Sequence, residues 1–358
     1  MARTLPHRSG CHVIASHVAP LLACAAVIGF VGRATAQPCV ADCSRDGTVG
    51  VDELMTGVLI ALGDRPLSAC PEMDADQDAS VAVDDLLAGV RNVLQPWSVA
   101  KVDIGGYRLA VRCQGEGTPV VVLDTGLGDT ERIWSLVQPT VATFTRVCTY
   151  TRAGIGQSER GPLPRSTAQM VSELHTLVHA SCMAPPYVLV GHSLGSFNIR
   201  MYADRYPDDV AGLVSVDGAQ ENLLPAVCEI SEPVTEAYCG TVPDIFPEGV
   251  RREADALGLD REQVRAIGPL PSVPFIVLAR GAFELVPGLT VEEMQAVQDL
   301  WHRLQRALAA STWTGEYLEV PQAGHYIQID RPDAVIDAIH QVVDVVPDGR
   351  QAVLNGKR

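Results

Sequence analysis

Ser193 lies in Gly191-His192-Ser193-Leu194-Gly195, a G-x-S-x-G pentapeptide that is the chain's clearest chemical signal. The residues before it, Tyr187-Val188-Leu189-Val190, read as a buried strand, and 197–206 read as a helix. Strand, sharp turn and helix are what a nucleophile elbow needs: the serine is held in a strained backbone conformation and its oxygen is lifted clear of the sheet. Gly191 and Gly195 lack a Cβ, so strand and helix can approach closely there. Away from that setting the same five residues would be a turn without chemistry. A serine hydroxyl is a weak nucleophile and needs a base. Nine histidines are present. His325, in Ala323-Gly324-His325 after a short apolar run, is the candidate. His175 and His179 lie four apart on a helix and read as surface residues. His302 and His340 are helical, and His192 reads as the variable residue of the elbow.

The elements that must position these groups alternate. Residues 102–104 and 107–113 read as a hairpin turned at Gly105-Gly106. Apolar strand runs follow at 120–124, 146–151, 210–216, 273–279 and 317–320, with helical patterns at 167–182, 291–310 and 332–346. This predicts an α/β fold with a mostly parallel sheet flanked by helices. The stretch 221–268 breaks the alternation with Pro, Cys and helical pieces.

At this point residues 99–346 resemble an α/β-hydrolase. The resemblance rests on the elbow, on Thr125-Gly126-Leu127-Gly128 after a strand, on Arg152-Ala153-Gly154-Ile155-Gly156-Gln157-Ser158 and on Ala323-Gly324-His325. It implies a domain over 98–346, with the insertion at about 220–268 serving as a cap. It also implies Ser193 as nucleophile, His325 as base, and the backbone N–H groups of Leu127 and Leu194 as an oxyanion hole. The family often has His-Gly where this chain has Thr125-Gly126. The triad acid lies, in the family, after the strand following the cap or after the strand before it. Glu284 fits the first position and Asp217 the second. Asp217 is preferred because a strand end holds a side chain more firmly than a loop. The implied activity is hydrolysis of a small-molecule carboxylic ester through an acyl-enzyme. Lactonase, peptidase and cofactor-free haloperoxidase are alternatives on the same fold, and a serine at the elbow disfavours the dehalogenase and epoxide hydrolase branches. The chain has no dinucleotide fingerprint and no P-loop, so no cofactor is expected for catalysis.

The first 36 residues read as a secretory signal peptide: Arg3 and Arg8, an apolar run, then Ala34-Thr35-Ala36. Secretion or periplasmic export is therefore expected, with no membrane span once the leader is removed. The net charge of −16 excludes nucleic acid and anionic membrane surfaces as natural partners. Eight of ten cysteines follow residue 36. Cys43 with Cys70 and Cys228 with Cys239 are plausible staples, whereas Cys113, Cys148 and Cys182 could equally be free buried thiols.

Residues 42–94 contain an internal repeat. Asp42, Asp46, Val49, Asp52, Leu54 and Gly57 recur 32 residues later as Asp74, Asp78, Val81, Asp84, Leu86 and Gly89. Each copy is a polar loop followed by an amphipathic helix. Asp42, Ser44, Asp46, Thr48 and Glu53 in one loop, and Asp74, Asp76, Asp78, Ser80 and Asp85 in the other, are oxygen ligands at calcium-loop spacing. Ala79 stands where the first copy has the turn glycine, Gly47. The stretch of about 39–95 resembles the dockerin-type, EF-hand-like repeats, which implies structural Ca2+ in a small all-α module over 37–97 and a possible protein partner for it. A second function class follows from it: a calcium-dependent binding protein with a decayed hydrolase domain. A solvated acidic helix pair without metal is the bland reading. Residues 95–98 read as a linker and 347–358 as a tail.

Overall fold

The computed structural model describes residues 40–44, 49–75, 78–94, 100–181, 183–239, 245–282 and 285–346, with the backbone alone at 91–94. The expected leader, linker and tail lie outside these residues, as do Asp46, Thr48, Asp76, Cys182 and Glu284.

The described chain begins with α1 (Val51–Ala61) and α2 (Val83–Leu94). Ala41, Cys70 and Met73 are the fully buried centre of this small unit, and Cys43 is disulfide-bonded to Cys70. The repeated glycines have a packing reason. A Cβ on Gly57 would meet the Met73 side chain at 2.4 Å, and one on Gly89 would meet Ala41 and Leu54 at 2.8 Å.

The sheet follows: β1 (Ala100–Asp103), β2 (Arg108–Gln114), β3 (Val120–Asp124), β4 (Val147–Thr151), β5 (Tyr187–His192), β6 (Val210–Val216), β7 (Phe275–Arg280) and β8 (Gly315–Val320). Its spatial order is β1-β2-β4-β3-β5-β6-β7-β8. β1 and β2 pair antiparallel, β2 is antiparallel to β4, and all later pairings are parallel. The apolar runs are continuous because both faces are covered. Along β5, Tyr187 and Leu189 enter one core while Val188 and Val190 enter the other; Phe275 and Val277 against Ile276 and Leu278 repeat this on β7. Each such side chain, fully buried, contributes about 1.5–3 kcal/mol.

α3 (Gln138–Val141), α4 (Thr167–Ala180) and α5 (Gly195–Arg205) connect the central strands. Between β6 and β7 lie α6 (Leu223–Val227), α7 (Glu232–Tyr238) and α8 (Glu248–Arg265), the stretch that breaks the alternation. α9 (Val291–Ala309), α10 (Ile327–Asp330) and α11 (Pro332–Val345) complete the set. The α/β fold class stands. Several expected boundaries move. The elbow helix starts at Gly195 rather than 197, because the turn passes directly into helix. The helix expected over 167–182 stops at Ala180, ahead of Pro185-Pro186, and β7 starts only after Pro274. Cys113 and Cys148 are not free thiols: they face each other across β2 and β4 and form a disulfide, and Cys228 pairs with Cys239.

Helix α8 closes the N-terminus of α4. Asp260 Oδ1 accepts the Thr167 N–H at 2.6 Å and Gln263 Oε1 accepts that of Ala168 at 2.9 Å. These are donors a helix cannot satisfy internally. Burial pushes the Asp260 carboxyl up to about 6 from an ordinary 3.8, against the opposing effect of the Thr167 N–H. The folded state therefore favours protonated Asp260. That contribution is complete below pH 3.8 and is lost as pH rises through about 6. Asp260→Asn keeps an acceptor for Thr167 and removes the titration. Urea denaturation should show the variant gaining about 1–3 kcal/mol on wild type between about pH 4 and about pH 8. A difference that does not change with pH would contradict this account.

Candidate active site

Ser193 follows β5 with a φ of 50°, the left-handed conformation that the elbow imposes on a non-glycine residue. Its N–H donates to the Val216 carbonyl at 3.2 Å, and its carbonyl accepts from Ala219 at 2.8 Å and Ser196 at 3.0 Å. The strained residue is thus bonded on both sides. No side chain fits at the flanking glycines. A Cβ on Gly191 would come within 2.5 Å of the Gly195 backbone, and one on Gly195 within 2.9 Å of the Asp124 and Thr125 carbonyls.

His325 lies in the turn between β8 and α10. Its Nε2 is 3.1 Å from Ser193 Oγ and its Nδ1 is 2.6 Å from Asp217 Oδ2. Asp217 directly follows β6, is fully buried, and has a φ of 41°. Three further donors surround its carboxylate: Trp301 Nε1 at 2.7 Å and Arg280 N at 2.9 Å on Oδ1, and an Arg280 guanidinium nitrogen at 2.9 Å on Oδ2. Burial alone would raise its pKa, but the His325 hydrogen bond and the Arg280 charge hold it below the ordinary value of 3.8. An ionised carboxylate only accepts, so the Nδ1 of His325 carries the proton and Nε2 is left to accept from the serine hydroxyl. Three residues from three strand ends are therefore brought together. Glu284, the other acid considered, lies outside the described residues.

Leu127 and Leu194 lie on either side of the point where the strand order reverses, after β3 and after β5. Ligand sites in open α/β sheets form at such points. Arg152, fully buried, holds the β3 loop. It donates to the Thr125 carbonyl at 2.8 Å and the Gly126 carbonyl at 2.5 Å, and forms ion pairs with Asp124 at 2.8 Å and Glu253 at 2.7 Å. The Gly126 carbonyl and the Leu127 N–H belong to one trans peptide, so fixing the oxygen turns the N–H the opposite way. Glu253, from α8, also accepts the Gly128 N–H at 2.9 Å. His192 is not a bystander. It is fully buried, its Nε2 donates to the His325 carbonyl at 3.0 Å, and burial with the adjacent His325 drives its pKa down to about 3. A neutral ring thus tethers the turn that carries the base.

Arg152, Glu253, Trp301, Arg280 and His192 escape sequence reasoning. Arg152 stood within a recognised motif without a role. His192 stands inside the elbow, but its bond to the turn of His325 is made only by the fold, as are the contacts of Glu253, Trp301 and Arg280.

At the N-terminal repeat, Asp74 accepts the N–H groups of Asp78 at 3.0 Å and Ala79 at 2.9 Å. Ala79 has a φ of 70°, the sharp turn expected at that position. Glu53 accepts from Ser44 and Gly50, and Asp85 from Ala75 and Ala82, all at 2.8 Å. Ser44 Oγ is 3.5 Å from Asp42, and Ser80 Oγ is 2.7 Å from Asp78. The donor set is all oxygen and carboxylate-rich, which fits a hard cation.

The Trp301 indole gives a direct test of the carboxylate's surroundings. Trp301→Phe keeps the ring beneath the Arg280 guanidinium, which lies 4.5 Å from its centroid, and removes one donor to Asp217. A hydrogen bond to a charged group is worth about 1.5–3 kcal/mol, and urea denaturation near neutral pH should show a loss of that size. Unchanged stability would mean that the indole N–H does not support Asp217.

The model of the Alpha/beta hydrolase family matches residues 120–338. Protein YqjL of Bacillus subtilis is 26% identical over 231 residues, covering 64% of this chain and 85% of its own. The (lyso)-N-acylphosphatidylethanolamine lipase of Bos taurus is 33% identical over 112 residues, 30% of this chain and 32% of the lipase. A probable transporter of Hormonema carpetanum is 32% identical over 179 residues, 46% of this chain, which spans only 24% of that protein's length. Among solved structures, the enol-lactonase of Burkholderia xenovorans aligns at TM-score 0.52 and 18% identity, over 68% of this chain and 100% of that one. An esterase of Thermogutta terrifontis aligns at 0.51 and 21%, over 70% and 99%. At such identities these two likenesses carry the fold alone. The family match spans most of the chain, with an elbow serine, a histidine and a strand-end aspartate in hydrogen-bonded sequence: the chain belongs to the alpha/beta hydrolase family.

Proposed function

We propose that this hydrolase cleaves carboxylic esters through an acyl-enzyme at Ser193. The observation that carries the reading is the unbroken chain from Ser193 Oγ through His325 to Asp217, at 3.1 and 2.6 Å. The hydroxyl attacks the ester carbonyl while His325 Nε2 takes its proton. Asp217 stabilises the imidazolium, and His325 returns the proton to the departing alkoxide. The negative oxygen of the tetrahedral intermediate is placed against the Leu127 and Leu194 N–H groups. Water, deprotonated by His325, then releases the acid. A lactone is a cyclic ester and would follow the same steps, so lactonase is the nearest alternative. The hydrogen-bonded triad argues against a binding protein with a decayed site. A serine phosphonate should label Ser193, and p-nitrophenyl esters of graded acyl length should be hydrolysed. Ser193→Ala and His325→Ala should each remove nearly all activity, and the double variant should lose little more. Asp217→Asn should cost about four orders of magnitude in rate. Glu284→Gln should cost little. Activity near wild type in Ser193→Ala would sink the proposal, and a large loss confined to Glu284→Gln would reassign the acid.

The proposal extends to export and to calcium. The residue pattern of 1–36 supports the first, and the sharp turn at Ala79, whose N–H is bonded to Asp74, supports the second. Bound Ca2+ would be held by Asp42, Ser44, Asp46, Thr48 and Glu53 and by their counterparts in the second loop. It would supply charge neutralisation there and take no part in ester chemistry. One preparation tests both ideas. The mass of exported protein should correspond to a chain starting at Gln37, and its melting temperature should rise with Ca2+ and fall with chelator. A retained leader would refute export, and an unmoved melting curve would refute calcium binding.

A further inference from the structure

His175 and His179 are read from sequence as surface residues on α4, and the structure gives them a more specific setting. Spacing of four on a helix puts both rings on one face. Their Nε2 atoms point at each other, 3.1 Å apart. Asp209, which ends the 3-10 turn Pro207–Asp209 directly before β6, brings its Oδ2 to 3.8 Å from one Nε2 and 4.0 Å from the other. All three side chains are between one-fifth and one-third exposed.

We propose that His175, His179 and Asp209 form a binding site for a divalent transition-metal ion of the zinc type. Ligand atoms about 2.0–2.1 Å from a tetrahedral zinc lie about 3.3–3.4 Å from one another. The two nitrogens already have nearly that separation, and the carboxylate needs to close by about half an ångström. Without a metal the two imidazoles bond only to each other and not to the carboxylate. Only one proton fits between two nitrogens at 3.1 Å, and the carboxylate oxygen is beyond hydrogen-bond reach of both. A cation placed among the three answers all of them, and water reaches the open side as a fourth ligand.

The surroundings fix the ligands. The Tyr206 ring stacks on His175 with centroids 3.8 Å apart and planes 17° apart, and the Tyr202 hydroxyl donates to Asp209 Oδ2 at 3.3 Å. Hydrogen bonds of this kind orient metal ligands and tune their basicity. Two imidazoles and one carboxylate select zinc, cobalt, nickel or copper over calcium or magnesium. The site lies at the end of the sheet where the central strands β5 and β6 begin, with Tyr187 paired to Val210, whereas Ser193 lies beyond the opposite end of β5, about 20 Å away. Its role is therefore mechanical: it pins the last turn of α4 to the start of β6, and takes no part in the Ser193 chemistry.

The test uses the full chain, stripped of transition metals and kept in excess Ca2+ so that oxygen loops cannot compete. Isothermal titration with Zn2+ should find one ion per chain at this site. His179→Gln and Asp209→Asn should each weaken it at least about tenfold. Both variants should keep phosphonate labelling at Ser193, which also shows that they are folded. X-ray absorption at the zinc edge on the one-to-one wild-type complex should report two imidazole ligands, and it holds even if a variant fails to fold. No zinc uptake, uptake that both folded variants retain, or a spectrum without paired imidazoles would each overturn the assignment.

Discussion

A carboxylate sealed from water and still ionised is the constraint around which this hydrolase is built. Asp217 is fully buried, yet its pKa lies below the ordinary value. Desolvating a lone carboxylate costs many kcal/mol, so the charge survives only where donors surround it. Here they come from β7 through Arg280, from α9 through Trp301 and from the turn after β8 through His325. Satisfying one charge therefore fixes the positions of three elements. The base is oriented as a by-product of that solvation.

The reacting side of the site follows from a second buried charge. Arg152 sits on the opposite side of the switch point and binds the loop that carries Leu127 by its carbonyl oxygens. The two-faced sheet makes this workable. β3 and β5 are neighbours in register, with Asp124 beside Gly191, so the loop after one strand and the elbow after the other emerge side by side. Strand pairing supplies the coarse placement, and Arg152 sets the peptide plane.

Much of this was legible in the chain. Gly191 and Gly195 announce the elbow because only glycine tolerates backbone at such distances, and the apolar runs announce a sheet buried on both faces. The resemblance to the hydrolases points to His325 and, with Glu284 as the alternative, to Asp217 at the end of β6. What the sequence could not show is long-range. Glu253 lies 101 residues from Arg152 and Trp301 lies 84 from Asp217, and no local periodicity encodes those meetings. The disulfide between Cys113 and Cys148 was hidden for the same reason, since it depends on the antiparallel register of β2 with β4. His192 was misread because its neighbours in sequence say nothing of its bond to the turn after β8.

The ion pair between Arg152 and Glu253 bears on how freely α8 can move. α8 supplies Glu253, and lifting that helix would break one of the two buried ion pairs of Arg152, leaving it only Asp124. Asp260 and Gln263 on the same helix would be withdrawn from the first turn of α4 as well. α8 is therefore a fixed wall and not a hinged door. Loosening α8 would disturb the loop after β3, through Gly128, and the start of α4, through Thr167, at the same time.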